Sequence, residues 1–141
     1  MNTKGIILLK IGLIQTIATA IYHFFIPYQF NWTLYLNNES PTINWSLISL
    51  NNYFSFNLLT LSIFLLFFLF RKDKNFQAIN TLSLIVLLFW IFSFIYQIVD
   101  PMPLPNRFNW LKFLLPSIAL FNAVCFSIPL LNTKPLNQYL K

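Results

Sequence analysis

YFSFNLLTLSIFLLFFLFRKDKNFQAINTLSLIVLLFWIFSFIYQIV, residues 53–99, consists of two long apolar segments on either side of the charged tetrapeptide RKDK. A helix needs about 18 or more apolar residues with few charges to cross a hydrocarbon layer roughly 30 Å thick. Segments 53–70 and 76–99 both meet this requirement, whereas RKDK is too polar to lie in hydrocarbon. The stretch therefore predicts two membrane-spanning helices joined by a short polar connection.

Two further apolar segments lie outside this pair, at residues 5–27 and 108–131. The chain is 57% hydrophobic and 9% charged, whereas about a quarter of the residues in a soluble domain are charged. So few charges cannot cover a soluble surface. The sequence predicts a single domain, residues 1–141, that is an all-α integral membrane bundle of four transmembrane helices running up-down-up-down.

The first segment resembles a signal peptide in one respect, because Ala18-Thr19-Ala20 has the small-x-small pattern of a cleavage site. Two features argue against cleavage. Lys10 interrupts what would be an uncharged apolar region, and the apolar run continues to Ile26 beyond the candidate site. We therefore expect this segment to be retained as a helix.

Basic residues are unevenly distributed between the two sides of the predicted bundle. Lys and Arg in short loops are retained in the cytoplasm, so both termini are predicted to be cytoplasmic. Only Arg107 and Lys112 fall on the opposite side. The basic residues behind the net charge of +6 thus indicate which side of the bundle faces the cytoplasm, and they would attract anionic lipid. Nucleic-acid binding is not expected. The basic residues on the predicted cytoplasmic side are Lys4, Arg71, Lys72, Lys74, Lys134 and Lys141.

The predicted outer loop, residues 28–52, contains Trp32 and Trp45, which suit the headgroup layer. Ser40-Pro41 is typical of a helix start, and it predicts a short interfacial helix over residues 41–50. The abundance of Asn, Lys, Ile and Phe is typical of an AT-rich bacterial genome. The bacterial inner membrane is the expected location.

Polar residues recur along one face of the predicted spans. In the first span, Gly12, Thr16, Thr19 and His23 share a face, so His23 is expected to point into the bundle. Polar groups in hydrocarbon turn toward one another or toward water. This pattern predicts either an outward-facing polar cavity rimmed by aromatic residues, or a hydrogen-bonded network that fastens the helix ends, with Asp100 and Lys112 paired directly or through one water. The candidate cavity residues are His23, Asn57, Trp90, Gln97, Asp100 and Lys112.

The sequence contains few side chains that could bind a cofactor. A haem would require Met102 or a symmetric dimer beside the single histidine, and a quinone is the other cofactor considered. A zinc site needs three or four ligands, and His23, Glu39 and Asp100 are too few and too scattered. Cys125 is the only cysteine, which excludes thiol redox chemistry within one chain. No cofactor or metal is predicted.

The segment IYHFFIPYQF, followed by an outer loop and three more apolar segments, resembles small DoxX-like membrane proteins. The resemblance rests on His23, Phe24 and Pro27, and it implies a four-helix bundle with an accessory or redox-linked role. The chain departs from that family in its second span, where Asn57 and Thr60 replace an acidic residue.

These observations favour a non-enzymatic role, in which an accessory or binding subunit holds a lipid, a quinone-like molecule or a membrane partner. The alternative is a small membrane enzyme or redox subunit that uses His23 and Asp100 for proton transfer. A dimeric transporter is a third interpretation, although no span carries a central carboxylate for proton coupling. The expected partners are membrane lipid and either a membrane protein or a second copy of the chain.

Overall fold

The computed structural model describes residues 3–36, 40–101 and 106–132, without the side chain of Arg107. This part of the chain is helical and contains no strand, as predicted. Met102, Glu39, Lys134 and Lys141 lie outside the described residues. The helices are α1 (Thr3–Gln29), α2 (Trp32–Leu36), α3 (Pro41–Phe70), α4 (Phe76–Val99) and α5 (Leu111–Leu131), with a 3₁₀ turn at Asn106–Phe108.

Helices α1, α3, α4 and α5 are long and apolar enough to cross a membrane, which confirms the prediction of four such helices. The shortest of them, α5, has 21 residues, and at 1.5 Å per residue it extends about 32 Å. The predicted ends of the second, third and fourth spans, at residues 70, 99 and 131, agree with the structure.

Local sequence explains where three of these helices begin or end. Asn31 has φ of 49°, a left-handed conformation that Asn tolerates better than most residues, and it terminates α1. Extended backbone at Arg71 ends α3. At the start of α4, the side-chain oxygen of Asn75 accepts a hydrogen bond from Ala78 N at 3.0 Å, the usual role of an N-cap asparagine.

One predicted boundary is wrong, because α3 is a single helix of 30 residues. The sequence predicted an interfacial helix at 41–50 and a separate span at 53–70. Residues 51–53, Asn-Asn-Tyr, contain no Gly or Pro to break the helix, and Ser55 Oγ donates a hydrogen bond to Asn51 O at 2.7 Å across this point. The predicted start was correct, since Pro41 occupies the first turn after Ser40.

The four long helices pack around a shared core, in which α1 and α4 each contact both α3 and α5. Large apolar residues fill this core, and small polar residues lie among them. Many other large apolar side chains are exposed on the outside of the bundle. The buried polar residues are Thr16, Ser55, Ser62, Ser83 and Asn122.

Helices α1 and α5 lie close together at Gly12. A Cβ atom placed on Gly12 would lie 2.8 Å from Cys125 Cβ and 3.0 Å from Phe126 Cε2. Real Cβ atoms do not come this close to other carbons, so only glycine permits this helix separation.

Candidate functional site

His23 lies in the last two turns of α1 and faces α3. Its ring centroid is 4.8 Å from that of Phe54, with the rings tilted by 55°. Asn51 Nδ2 donates a hydrogen bond to the backbone oxygen of His23 at 2.8 Å. The expectation that His23 points toward the bundle is therefore confirmed.

A row of aromatic rings connects His23 with buried Trp90. The centroids of Phe54 and Phe89 are 5.4 Å apart, and those of Phe89 and Trp90 are 5.2 Å apart. Trp90 Nε1 donates to Thr16 Oγ1 at 3.0 Å, so the row ends in a hydrogen bond between α4 and α1. Of the six candidate residues, His23 and Trp90 are thus linked through packed rings.

The structure does not bring the other four candidates into this group. Asn57 and Lys112 are exposed. Gln97 is half-buried and bonds within its own helix, through Nε2 to Ser93 Oγ at 3.0 Å. The predicted network among the helix ends is therefore not formed by these side chains.

Asp100 forms a hydrogen bond within its own helix end instead of the predicted pair with Lys112. Its carboxylate accepts a hydrogen bond from the Tyr96 hydroxyl at 3.0 Å, and no Asp100 oxygen lies within 4.0 Å of the Lys112 ammonium. The predicted direct ion pair is wrong. His23 and Asp100, the proton carriers of the enzymatic alternative, likewise contact different neighbours.

A cavity of about 460 Å³ lies where the end of α1, α2 and the first part of α3 meet. We refer to it as the α1–α2–α3 cavity. None of the six candidate residues lines it, although His23 directly precedes its first wall residue. It is lined by Phe24, Phe25, Pro27, Tyr28, Asn31, Thr33, Ile48 and Asn52.

The short helix α2 closes one side of this cavity. The left-handed conformation of Asn31 turns the chain from α1 into α2, which places Thr33 in the cavity wall. Asn44 Nδ2 donates to Leu36 O at 2.6 Å and so ties the end of α2 to α3. Asn44 Oδ1 is buried, and it has no hydrogen-bond partner among the described residues.

The cavity lining is aromatic and uncharged. Phe24, Phe25 and Tyr28 provide ring surface, while Asn31, Thr33 and Asn52 carry neutral hydrogen-bonding groups. No group of three or more His, Cys, Asp or Glu side chains within the described ranges could hold a metal ion. Chemically, this arrangement suits a neutral molecule with an apolar body and one or two polar atoms.

Sequence reasoning missed most of this lining. Phe24 and Pro27 belong to the motif that resembles DoxX-like proteins, and Asn31, Thr33 and Asn52 lie in the predicted outer loop. The available signal was the appearance of Gln29, Asn31 and Thr33 among aromatic residues after the apolar run, which marks the end of a span.

Comparison of the chain with protein-family models, curated proteins and solved structures gives no match. The DoxX-like relationship therefore stays a prediction.

Proposed function

We propose that this protein is a membrane-embedded binding protein that holds an uncharged amphiphile, quinone-like or with a neutral lipid headgroup, in the α1–α2–α3 cavity. The observation that carries the proposal is the lining of this cavity, which combines aromatic rings with neutral amide and hydroxyl groups and has no charged side chain among its described residues. An anionic headgroup would find no cation there.

The dimensions and the chemistry of the cavity support this ligand class. A volume of about 460 Å³ lies within the roughly 300–1,000 Å³ of typical small-molecule sites. Aromatic walls favour a flat ring, because stacked and edge-on rings attract one another beyond simple burial. The amides of Asn31 and Asn52 are suitable hydrogen-bond donors for carbonyl oxygens of a quinone or an ester.

We place the cavity at the outer face of a bacterial inner membrane, with the helices running up-down-up-down and both termini in the cytoplasm. Contacts between the end of α1 and the start of α3, and between the start of α1 and the end of α3, support this topology. The basic tetrapeptide RKDK lies at the end of the bundle that the positive-inside rule assigns to the cytoplasm.

An accessory role beside a membrane partner or a second copy completes the proposal, and it includes the DoxX-like relationship. Two of the three residues that carry that resemblance, Phe24 and Pro27, line the cavity. Ligand binding would then account for Phe24 and Pro27 in the motif. His23, the third residue, packs against the Phe54 ring outside the cavity lining.

The test measures binding of a short-chain benzoquinone to the purified full chain in mild detergent. Quenching of tryptophan fluorescence reports the amount bound. Asn52→Leu removes one hydrogen-bonding group from the cavity and should weaken binding about fivefold to tenfold. Tyr28→Ala removes part of the aromatic wall and should also weaken it. Mass spectrometry of small molecules that copurify with the protein identifies the natural ligand independently.

Asn57→Leu is the matched control, because it makes the same chemical change on the same helix at an exposed position outside the cavity. It should leave the dissociation constant unchanged. Equal affinity in the wild type and in both cavity variants, or a loss confined to Asn57→Leu, would contradict the proposed site.

A further inference from the structure

A second concave surface lies at the opposite end of α1, between α1 and the end of α5. This α1–α5 groove has a volume of about 390 Å³. It shares no lining residue with the α1–α2–α3 cavity. The residues that form its walls and ends include Lys4, Ile7, Leu8, Ile11, Ile128 and Asn132.

Helical spacing explains the shape of the groove. Lys4, Ile7, Leu8 and Ile11 are three or four residues apart and therefore share one face of α1. Ile128 provides the facing wall from α5. The isoleucine side chains remain accessible, with Ile7 54% and Ile128 41% exposed, so the groove is open to whatever surrounds the helices.

Polar groups are confined to one end of the groove, at Lys4 and Asn132. At this end of the bundle the Lys10 ammonium lies 4.6 Å from the Phe70 ring centroid and Arg71 lies over Phe67. Lys72 and Lys74 are exposed but do not line the groove. Lys4 is exposed and has no ion pair with Asp73 or Asp100. The groove therefore has an available positive charge at one end and apolar walls beyond it.

We infer that the α1–α5 groove binds an acidic phospholipid of the surrounding membrane. Lys4 holds the phosphate together with the second N–H of Asn132 Nδ2, whose first N–H donates to Ile128 O at 2.9 Å. An acyl chain lies along Ile7, Ile11 and Ile128. Charge complementarity selects the headgroup, because an ammonium at the membrane surface attracts anionic lipid. The apolar walls favour a lipid over a free anion, since only a molecule with an acyl chain contacts both Lys4 and the isoleucine side chains.

The inference is tested by native mass spectrometry of the detergent-purified full chain, titrated with phosphatidylglycerol or with phosphatidylcholine of the same acyl chains. Wild type should bind phosphatidylglycerol preferentially. Lys4→Gln should weaken phosphatidylglycerol binding about fivefold, which corresponds to the ~1 kcal/mol contributed by one basic side chain near an anionic surface. Phosphatidylcholine binding should not change.

Lys74→Gln is the matched control for charge, because it removes an equal charge from an exposed residue beyond the end of α3. Lys74→Gln should bind phosphatidylglycerol as the wild type does. An equal loss of affinity in both lysine variants would show that general electrostatic attraction, and not the groove, holds the lipid. Ile7→Trp fills the groove without altering charge and should also weaken binding. Its control is Ile14→Trp, at a side chain that is 65% exposed and outside the groove.

A soluble headgroup distinguishes a lipid from a free anion. Glycerophosphoglycerol carries the same single phosphodiester charge without acyl chains, and the apolar walls predict that it does not bind at comparable concentration. Equal binding of glycerophosphoglycerol and phosphatidylglycerol, or unchanged phosphatidylglycerol binding in Lys4→Gln and Ile7→Trp, would overturn the inference. Melting temperatures without added lipid verify that each variant is folded.

Discussion

Thr16 is a fully buried hydroxyl that joins two helices. Its Oγ1 donates to Gly12 O at 2.7 Å within α1 and accepts from Trp90 Nε1 at 3.0 Å from α4. The Thr16 hydroxyl therefore has a partner for its own hydrogen and also accepts the indole N–H of Trp90. An indole N–H without a partner would be costly in an apolar interior.

This geometry predicts coupling between Thr16 and Trp90. Thr16→Val keeps the side-chain shape but removes the acceptor, and it should lower the free energy of unfolding by about 1–2 kcal/mol. In a double-mutant cycle with Trp90→Phe, we expect a coupling energy of about 0.6–1.7 kcal/mol, the range for interhelical hydrogen bonds in membrane proteins. Denaturation of the purified protein in micelles provides the measurement.

Thr19→Val is the control for that cycle. The Thr19 hydroxyl donates only to Gln15 O, within the same helix, at 2.9 Å. Such bonds to the preceding turn do not stabilise a helix, so Thr19→Val should be close to neutral. If Thr19→Val costs as much as Thr16→Val, the bond to Trp90 does not explain the loss.

Gly12→Ala should separate α1 from α5. The new methyl group would overlap Cys125 Cβ and Phe126, both in a tightly packed core, and overpacking of this kind costs about 1–3 kcal/mol. Because the closest atom is Cys125 Cβ, Cys125→Gly should recover part of the loss. We would measure unfolding free energies of both single variants and the double variant. Additive losses would show that the contact is not the cause.

The sequence predicted inward-facing residues correctly where polar groups are small. Thr16 lies inside as its stripe indicated, whereas Asn57 and Lys112 lie outside. The reason is that a buried hydroxyl can bond to a carbonyl of its own helix, as Ser62 Oγ does to Leu58 O at 2.8 Å. A larger amide or an ammonium has more bonds to satisfy, so its polarity alone does not indicate the inner face.

At the scale of the element, α3 is longer than one crossing requires. Its 30 residues extend about 45 Å, and a hydrocarbon layer is roughly 30 Å thick. Polar Asn44, Asn51 and Asn52 lie in the first turns of α3, which also carry Trp45 and the cavity residue Ile48. A continuous helix places these side chains on a rigid extension of the span.

Leu50→Pro tests this continuity. The Leu50 side chain is 64% exposed, so its replacement removes little packing, but proline in a helix interior costs about 3 kcal/mol or more. We expect that loss of stability, together with faster hydrogen exchange in residues 41–52. Leu50→Ala removes the same side chain without affecting the backbone and should cost far less. A small effect of Leu50→Pro would instead indicate a break near Asn51.

The sequence could not predict this continuity from local signals. Polar Asn51 and Asn52 look like a boundary between a surface helix and a span, and the hydropathy of residues 53–70 by itself suffices for a crossing. The deciding contacts are distant along the chain, since Asn51 donates to His23 O on α1. By contrast, the ends of α3 and α4 at 70 and 99 were predictable because charged or proline-containing segments follow them directly.

At the scale of the whole molecule, many large apolar side chains are exposed on the outside of the bundle. Side chains such as Phe25, Phe64 and Phe92 are more than half exposed, while serine and threonine hydroxyls are buried. Exposure of such a surface to water costs a free energy of roughly 25 cal/mol per Å² of apolar area, whereas contact with lipid tails does not carry this cost. Composition alone predicted this inversion, because 9% charged residues cannot cover a bundle.

Orientation in the membrane is the last prediction, and it follows from the charges at the two ends of the bundle. Asp73 lies in the RKDK connection and Ser40 precedes α3 near the α1–α2–α3 cavity, and both residues are exposed. The positive-inside rule places RKDK in the cytoplasm. In a Cys125→Ala background, Ser40→Cys should react with an impermeant maleimide in intact bacterial cells, and Asp73→Cys should react only after the membrane is permeabilised. The reverse pattern would place the cavity on the cytoplasmic side, and labelling of both sites in intact cells would contradict α3 as a membrane crossing.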